Sequence, residues 1–178
     1  MRRLQEQGHH RLKTIRRPFH LVRRFFEVLL ARPLAPDEID TVRSWVGEEL
    51  LELFLSQQVA DQRHGYRTAK AVADAGHRTE LVAAMALHDV GKRHSWLGPF
   101  RRSLATILMV LHLPMRGRWA AYRDHGPLGA VDLERAGASG IVVGFARHHQ
   151  HRRPADMSPD DWEVLNRADL GLLTGRKG

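Results

Sequence analysis

The chain has 178 residues, 43% of them hydrophobic and 27% charged, which is the composition of a soluble domain large enough to bury a core. It contains no cysteine, so disulfide bonds, thiolate zinc sites and cysteine nucleophiles are excluded, and any metal site must be built from His, Asp and Glu. The formal net charge is +8. The absence of cysteine is compatible with a reducing cytoplasm, and we expect a cytoplasmic protein, with a peripheral position on a membrane as the alternative.

The positive charge is concentrated at the N-terminus. Residues 1–24 hold eight Lys/Arg and one acidic residue, Glu6, and therefore carry +7 of the net +8. Such a basic arm can contact nucleic acid, a membrane surface or an acidic partner. A solvated leader that aids solubility is the alternative. The apolar stretch that follows is interrupted by Arg23, Arg24 and Glu27, so we do not expect a secretory signal.

Apolar residues recur at spacings of three and four along the chain, and no stretch alternates as a strand does, so the sequence predicts an all-α fold. We expect two parts: residues 1–35, with the basic arm and a first helix at 18–31, and a helical domain at 36–178. The further predicted helices are one capped by Asp37, one at 49–60, one at 64–75 opened by His64, one at 80–89 capped by Thr79, one that begins at 124–127, one at 141–149, and a last one behind the capping box at 158–161.

Residues 103–115 form an almost wholly apolar run. The run is too short to cross a bilayer, which takes about 20 residues, and no transmembrane segment is expected. We expect it to be buried within the domain or at a homodimer interface. Basic residues flank it on both sides (Arg101, Arg102, Arg116 and Arg118), which leaves contact with a membrane surface as the alternative.

Residues 86–92 read Ala-Leu-His-Asp-Val-Gly-Lys at the end of an apolar helical run. The imidazole of His88 and the carboxylate of Asp89 can hold a divalent metal, and the two oxygens of Asp89 can bridge two ions. We expect Gly91 to end the helix in a left-handed conformation and leave Lys92 to reach an anion. A His-Asp pair alone, however, is more often a core or capping pair than a metal site.

Three segments in chain order resemble the motifs of the HD-domain metal-dependent phosphohydrolases: 61–67 with its histidine, the His-Asp pair of 86–92, and 166–169 with its aspartate. The resemblance covers residues 61–173. It implies an HD-domain helical bundle in which one metal is held by His64, His88, Asp89 and Asp169.

The later histidines are similar to the second-metal ligands of the binuclear subgroup, which includes the HD-GYP phosphodiesterases. This similarity implies a second metal held by Asp89, His125, His148 and His149. Neighbouring helical residues point about 100° apart, so the helix end must be distorted if His148 and His149 are to reach one ion. The Gly-Tyr-Pro motif is missing after this pair, so the similarity does not extend to cyclic di-GMP as the substrate.

The resemblance implies hydrolysis of a phosphate ester, of the nucleotide, cyclic nucleotide or cyclic dinucleotide class, by a metal-bridged hydroxide. Two divalent ions are expected, with Mn or Fe favoured and Co, Ni, Zn or Mg as alternatives. Asp89 and Lys92 would be catalytic, with Lys92 neutralising a phosphate oxygen, and Arg67 and Arg152 would orient the rest of the anion. A di-iron oxygenase of the same fold and a non-catalytic, metal-stabilised binding module remain competing interpretations.

Overall fold

A computed structural model describes residues 29–173, and within that range the chain folds into helices without a strand. The predicted all-α class is confirmed. The basic arm at 1–24 and nearly all of the predicted first helix at 18–31 lie outside the described residues. The helices are α1 (Pro36–Val46), α2 (Glu48–Leu55), α3 (Val59–Asp74), α4 (Thr79–Leu87), a 3₁₀ helix (Val90–His94), α5 (Pro99–Val110), α6 (Arg118–Arg123), α7 (His125–Arg135), α8 (Gly140–His148) and α9 (Pro159–Asp169).

Several predicted helix starts are wrong. The N-cap of α1 is Ala35 rather than Asp37, because Pro36 occupies the first helical position and the Glu38 carboxylate accepts a hydrogen bond from the Ala35 N–H at 2.7 Å. Likewise, the N-cap of α4 is the residue before Thr79. By contrast, the predicted cap of α9 is confirmed, since the Ser158 hydroxyl accepts a hydrogen bond from the Asp161 N–H at 3.1 Å.

The predicted helix at 49–60 is in fact split. α2 ends at Leu55, and α3 begins at Val59, five residues before the predicted start at His64. His64 therefore lies in the second turn of α3 rather than at its beginning, and regular helix on both sides holds its side chain. Two helices were not predicted: α5, which runs from Pro99 to Val110 and includes the first part of the apolar run at 103–115, and the short α6.

Helix α4 is the centre of the bundle. Its residues 81–87 are all buried, with α3, α8, α1 and α9 packed around it. A helix that is apolar on every side must be covered on every side, which explains its central position. It ends at Leu87, so the next two residues, His88 and Asp89, emerge in the middle of the fold and are almost fully buried.

Glycines allow the backbones beside these residues to approach closely. A Cβ added at Gly91 would lie 1.9 Å from the His125 carbonyl oxygen and 2.5 Å from the Gly129 nitrogen, and one added at Gly65 would lie 2.6 Å from the Ala86 carbonyl oxygen. Gly91 does not adopt a left-handed conformation, contrary to the prediction, and lies within the 3₁₀ helix. Its missing side chain is required because the 3₁₀ helix packs directly on the backbone of α7.

The predicted burial of 103–115 within the domain is wrong for one face of α5. Leu104, Ile107 and Val110 are exposed in the chain, whereas Ala105 is buried in a small second cluster with Leu97 and Met115. No helix within residues 29–173 is long and apolar enough to cross a membrane.

The close approach at Gly91 leads to a testable prediction. We expect Gly91→Ala to push the 3₁₀ helix away from α7 and to destabilise the fold by about 1–3 kcal/mol. For a domain of this size that lowers the melting temperature by roughly 2–4 °C per kcal/mol, measurable by circular dichroism.

Gly140→Ala is the matched control. An added Cβ at Gly140 meets no atom within 4 Å, and the residue begins α8, so this variant should be neutral or slightly stabilising. Equal melting temperatures for the two variants would contradict the packing role of Gly91.

Candidate metal centre

Asp89 lies at the centre of a buried cluster of histidines and carboxylates. Its two carboxylate oxygens face different neighbours: Oδ2 is 3.3 Å from His88 Nε2, whereas Oδ1 is 3.1 Å from His125 Nε2 and 3.6 Å from His149 Nε2. The Lys92 ammonium forms an ion pair with Oδ2. The side chain is 3% exposed, so its negative charge has to be compensated by these neighbours.

One group of donors gathers on the His88 side of Asp89. Nitrogen or oxygen atoms of His64, His88 and Asp89 lie within 4.8 Å of one another, as metal ligands must. Asp169, at the end of α9, adds a second carboxylate, with Oδ1 at 3.0 Å from His64 Nε2 and 3.5 Å from His88 Nε2. Residues 105 positions apart in the chain are thus brought into hydrogen-bond distance.

A second group lies on the other side of the same carboxylate. Ligand atoms of Asp89, His125 and His149 also lie within 4.8 Å of one another, and the two histidine Nε2 atoms are 3.2 Å apart. Two imidazole nitrogens this close can both donate their lone pairs to one cation. Asp89 belongs to both groups, so the structure places one carboxylate between two sets of metal-ligand atoms.

Three of the histidines are oriented in the same way. His88, His125 and His149 each donate a hydrogen bond from Nδ1–H to the backbone carbonyl three residues earlier, at 2.8, 2.7 and 2.8 Å respectively. These carbonyls belong to Met85, Tyr122 and Ala146, in or next to the last turns of α4, α6 and α8, where backbone acceptors lack a partner within the helix. The contact fixes each ring and leaves Nε2 as the atom that can bind a metal.

The chemistry of this donor set fits a divalent cation. His88 Nε2 is buried and makes no hydrogen bond of good geometry, although carboxylate oxygens of Asp89 and Asp169 lie 3.3 and 3.5 Å from it. A buried polar atom without a partner is costly, and a cation would use it as a ligand. Imidazole and carboxylate donors suit borderline and hard divalent metals. These buried His and Asp groups can therefore hold metal ions.

The electrostatics of the cluster favour positive charge beside the carboxylates. Burial opposes ionisation of Asp89 and Asp169. The nearby His88 and Lys92 outweigh burial at Asp89, and His64 and His88 outweigh it at Asp169. The pKa of each carboxyl is therefore held well below its ordinary value. Burial likewise opposes a charge on His88, yet the two carboxylates raise its pKa to about 10. Burial and the neighbouring His88 lower the pKa of His149 to about 3, so His149 is a neutral imidazole.

The 3₁₀ helix that follows Asp89 is fixed by a second set of polar contacts. The Asp132 carboxylate on α7 accepts hydrogen bonds from Arg93 at 3.1 Å and from His94 Nε2 at 2.6 Å. Burial raises the pKa of Asp132, but its two basic partners outweigh that effect and lower it overall. These contacts hold the segment that carries Lys92 against the helix that carries His125.

The other predicted residues lie in different positions. His148 is half-buried at the last position of α8 and belongs to neither group of donors, whereas His149, one residue later, does. Lys92 forms the ion pair with Asp89 described above. Arg67 is exposed on α3 beside a groove of about 380 Å³ that it shares with Tyr66 and Lys70, and Arg152 is exposed beyond α8.

Sequence reasoning missed the carbonyls that orient the histidines. The signal was nevertheless present, because each of these histidines comes within two residues after a helical segment, where the carbonyl three residues earlier is available. It also missed the Asp132 contacts, which join segments 38 residues apart or more. Comparisons with protein-family models, with curated proteins and with solved structures gave no match for this chain.

Because Asp89 belongs to both groups of donors, it is the residue on which metal binding should depend most. We expect a divalent metal near saturation to raise the melting temperature of the protein by roughly 5–10 °C. Asp89→Asn, which keeps the side-chain shape but removes the charge, should lose most of that rise.

The exposed Asp156→Asn is the matched control and should respond as the unaltered protein does. Metal content after dialysis, measured by mass spectrometry, provides a second readout that does not depend on stability. Undiminished metal content in Asp89→Asn would show that the metal is bound elsewhere.

Proposed function

We propose that the protein is a metal-dependent phosphohydrolase of the HD-domain type, acting on a phosphate ester of the nucleotide, cyclic nucleotide or cyclic dinucleotide class. The observation that carries the proposal is the position of Asp89, whose two oxygens face separate groups of histidines. The sequence motifs that resemble this family contribute the same residues, and the order of the motifs along the chain supports the proposal as well.

In the proposed site, His64, His88, Asp89 and Asp169 would hold one divalent ion, and Asp89, His125 and His149 a second. Mn and Fe are the favoured metals, because the donor set combines imidazoles with carboxylates. Such ions, when bound, supply a nucleophilic hydroxide at neutral pH and stabilise the oxygens of a phosphoryl group. The role of the chain is to fix the ligands, which it does through the three Nδ1–H contacts to helix carbonyls.

Lys92 would act on the substrate. Its side chain is 5% exposed and its ammonium pairs with Asp89 Oδ2, so the ammonium is held beside the carboxylate that the two groups share. A phosphate placed over Asp89 would be within reach of this ammonium, which can neutralise a developing negative charge without first being ordered. Arg67 and Arg152 are exposed, so any contact they make with substrate would involve parts of it beyond the reacting phosphate.

The number of metal ions can be tested with single histidine variants. His149 and His64 belong to different groups of donors. If two ions bind, His149→Ala should retain about half the metal of the unaltered protein, and so should His64→Ala. A single-metal site would be supported if the unaltered protein holds one equivalent of metal and only one of the two variants loses it.

The activity itself is tested by screening phosphomonoesters, phosphodiesters and cyclic dinucleotides with the metal-loaded protein. His88→Ala and Asp89→Ala should abolish turnover of any substrate found. Lys92→Met should lower kcat by about 100- to 1,000-fold, as expected for the loss of one charge that stabilises the transition state.

Lys70→Met is the control for Lys92, because Lys70 is an exposed lysine that also pairs with an aspartate, Asp74. If the His88 and Asp89 variants keep full activity, the measured hydrolysis is due to a contaminant. Turnover that requires oxygen and bound iron would instead favour the oxygenase interpretation. Specific metal binding without turnover of any substrate would favour the binding module.

A further inference from the structure

Helix α5 presents an apolar stripe to solvent. Leu104, Ile107 and Leu111 follow one another at spacings of three and four residues, which places them on one side of the helix. They are 47%, 50% and 60% exposed. The opposite side carries the buried Arg102 and Ala105. Helix α5 therefore carries apolar residues on its exposed side as well as on its buried side.

The charged residues of the segment that carries this stripe are all basic. Residues 90–123 contain no Asp or Glu, whereas they contain seven basic residues: Lys92, Arg93, Arg101, Arg102, Arg116, Arg118 and Arg123. Of these, Arg101 and Arg116 are exposed at the two ends of the apolar run. An exposed apolar stripe with basic flanks is complementary to a surface that is both apolar and anionic.

Exposed apolar residues also lie before and after this stripe along the chain. Trp96, just before α5, is 56% exposed, and Leu113, just after it, is 46% exposed. Trp is favoured where an apolar phase meets water, because its ring is apolar and its N–H is polar. The backbone at Trp96 is held by Arg118, which donates hydrogen bonds to the Ser95 and Trp96 carbonyls at 2.8 and 2.7 Å.

A buried arginine anchors α5 to the rest of the bundle. Arg102 donates two hydrogen bonds to the Asp61 carboxylate on α3, at 2.7 and 2.5 Å, and one to the Leu97 carbonyl at 2.8 Å. This guanidinium is buried, so the pair fixes the rotation of α5 and determines which side faces outward. The exposed stripe is therefore a consequence of how the helix is held.

We propose that this face of α5, from Trp96 to Leu113, binds the surface of a lipid bilayer that contains anionic lipids. The apolar side chains would enter the boundary between headgroups and acyl chains, and Arg101 and Arg116 would pair with lipid phosphates. The residues of this surface are different from the proposed metal ligands and follow them or precede them in the chain, and none of them belongs to the basic residues 1–24.

Other occupants fit the face less well. A second copy would bring the same basic residues against one another, and one stripe on a helix about 18 Å long offers little of the roughly 800 Å² per partner that a stable dimer buries. The apolar segment at 19–31 of the same chain carries Arg23 and Arg24 and would also bring like charges together. Nucleic acid would pair with the arginines but leave the apolar stripe in water.

The full-length protein should be tested by co-sedimentation with vesicles of phosphatidylcholine alone and of phosphatidylcholine and phosphatidylglycerol in equal parts. We expect binding to the anionic vesicles, and a decrease of about tenfold or more in the partition coefficient for the double variant Leu104→Glu/Ile107→Glu, because each charge would have to enter the apolar boundary. Val131→Glu is the matched control, because Val131 is 40% exposed on α7, away from this face.

A second measurement reports the depth of Trp96. Brominated acyl chains should quench part of the tryptophan fluorescence of the bound protein, and Trp96→Phe should remove most of that quenching. Equal binding of the unaltered protein and the double glutamate variant would overturn the proposal and attribute the contact to residues 1–24. Absence of binding to anionic vesicles would also overturn it, as would a change in oligomeric state produced by the double variant in the absence of lipid.

Discussion

The structure of the site depends on the burial of one carboxylate. Asp89 is 3% exposed, and a buried negative charge is tolerated only where opposite charges and polar atoms surround it. Four side chains meet this requirement: Lys92 and His88 at one oxygen, and His125 and His149 at the other. They come from the end of α4, the following 3₁₀ helix, the start of α7 and the end of α8. The helices have to converge at this point because their residues share the carboxylate.

Such convergence requires short distances between backbones, and the sequence provides glycine where they are shortest. Gly65 follows His64, Gly91 lies two residues after Asp89, and both face the backbone of another segment. In each case a side chain would displace the element that carries a ligand atom. The glycines thus allow the backbones to come close enough for the histidine side chains to reach the Asp89 carboxylate.

The sequence predicted the fold class and the residue types of the site, because helical periodicity and the spacing of His and Asp are local properties of the chain. It did not distinguish His148 from His149, since that choice depends on how α8 is rotated against α4 and α7. It also assigned Gly91 a turn conformation, because the backbone of α7 that lies against it is more than thirty residues away in the chain. Contacts between side chains that are distant in the chain, such as the one between Asp132 and His94, became visible only in the folded structure.

The segment between Lys92 and His125 packs differently from the rest of the bundle. Its helix α5 takes no part in the main core and packs through a small separate cluster around Leu97. It is held by a buried Asp61–Arg102 pair. Such pairs add little net stability compared with apolar contacts, and the directed hydrogen bonds of this one orient the two groups that it joins. A segment retained only for stability would bury its apolar residues. This one is fixed so that Ile107 and its neighbours face outward, which is the arrangement expected of a binding surface.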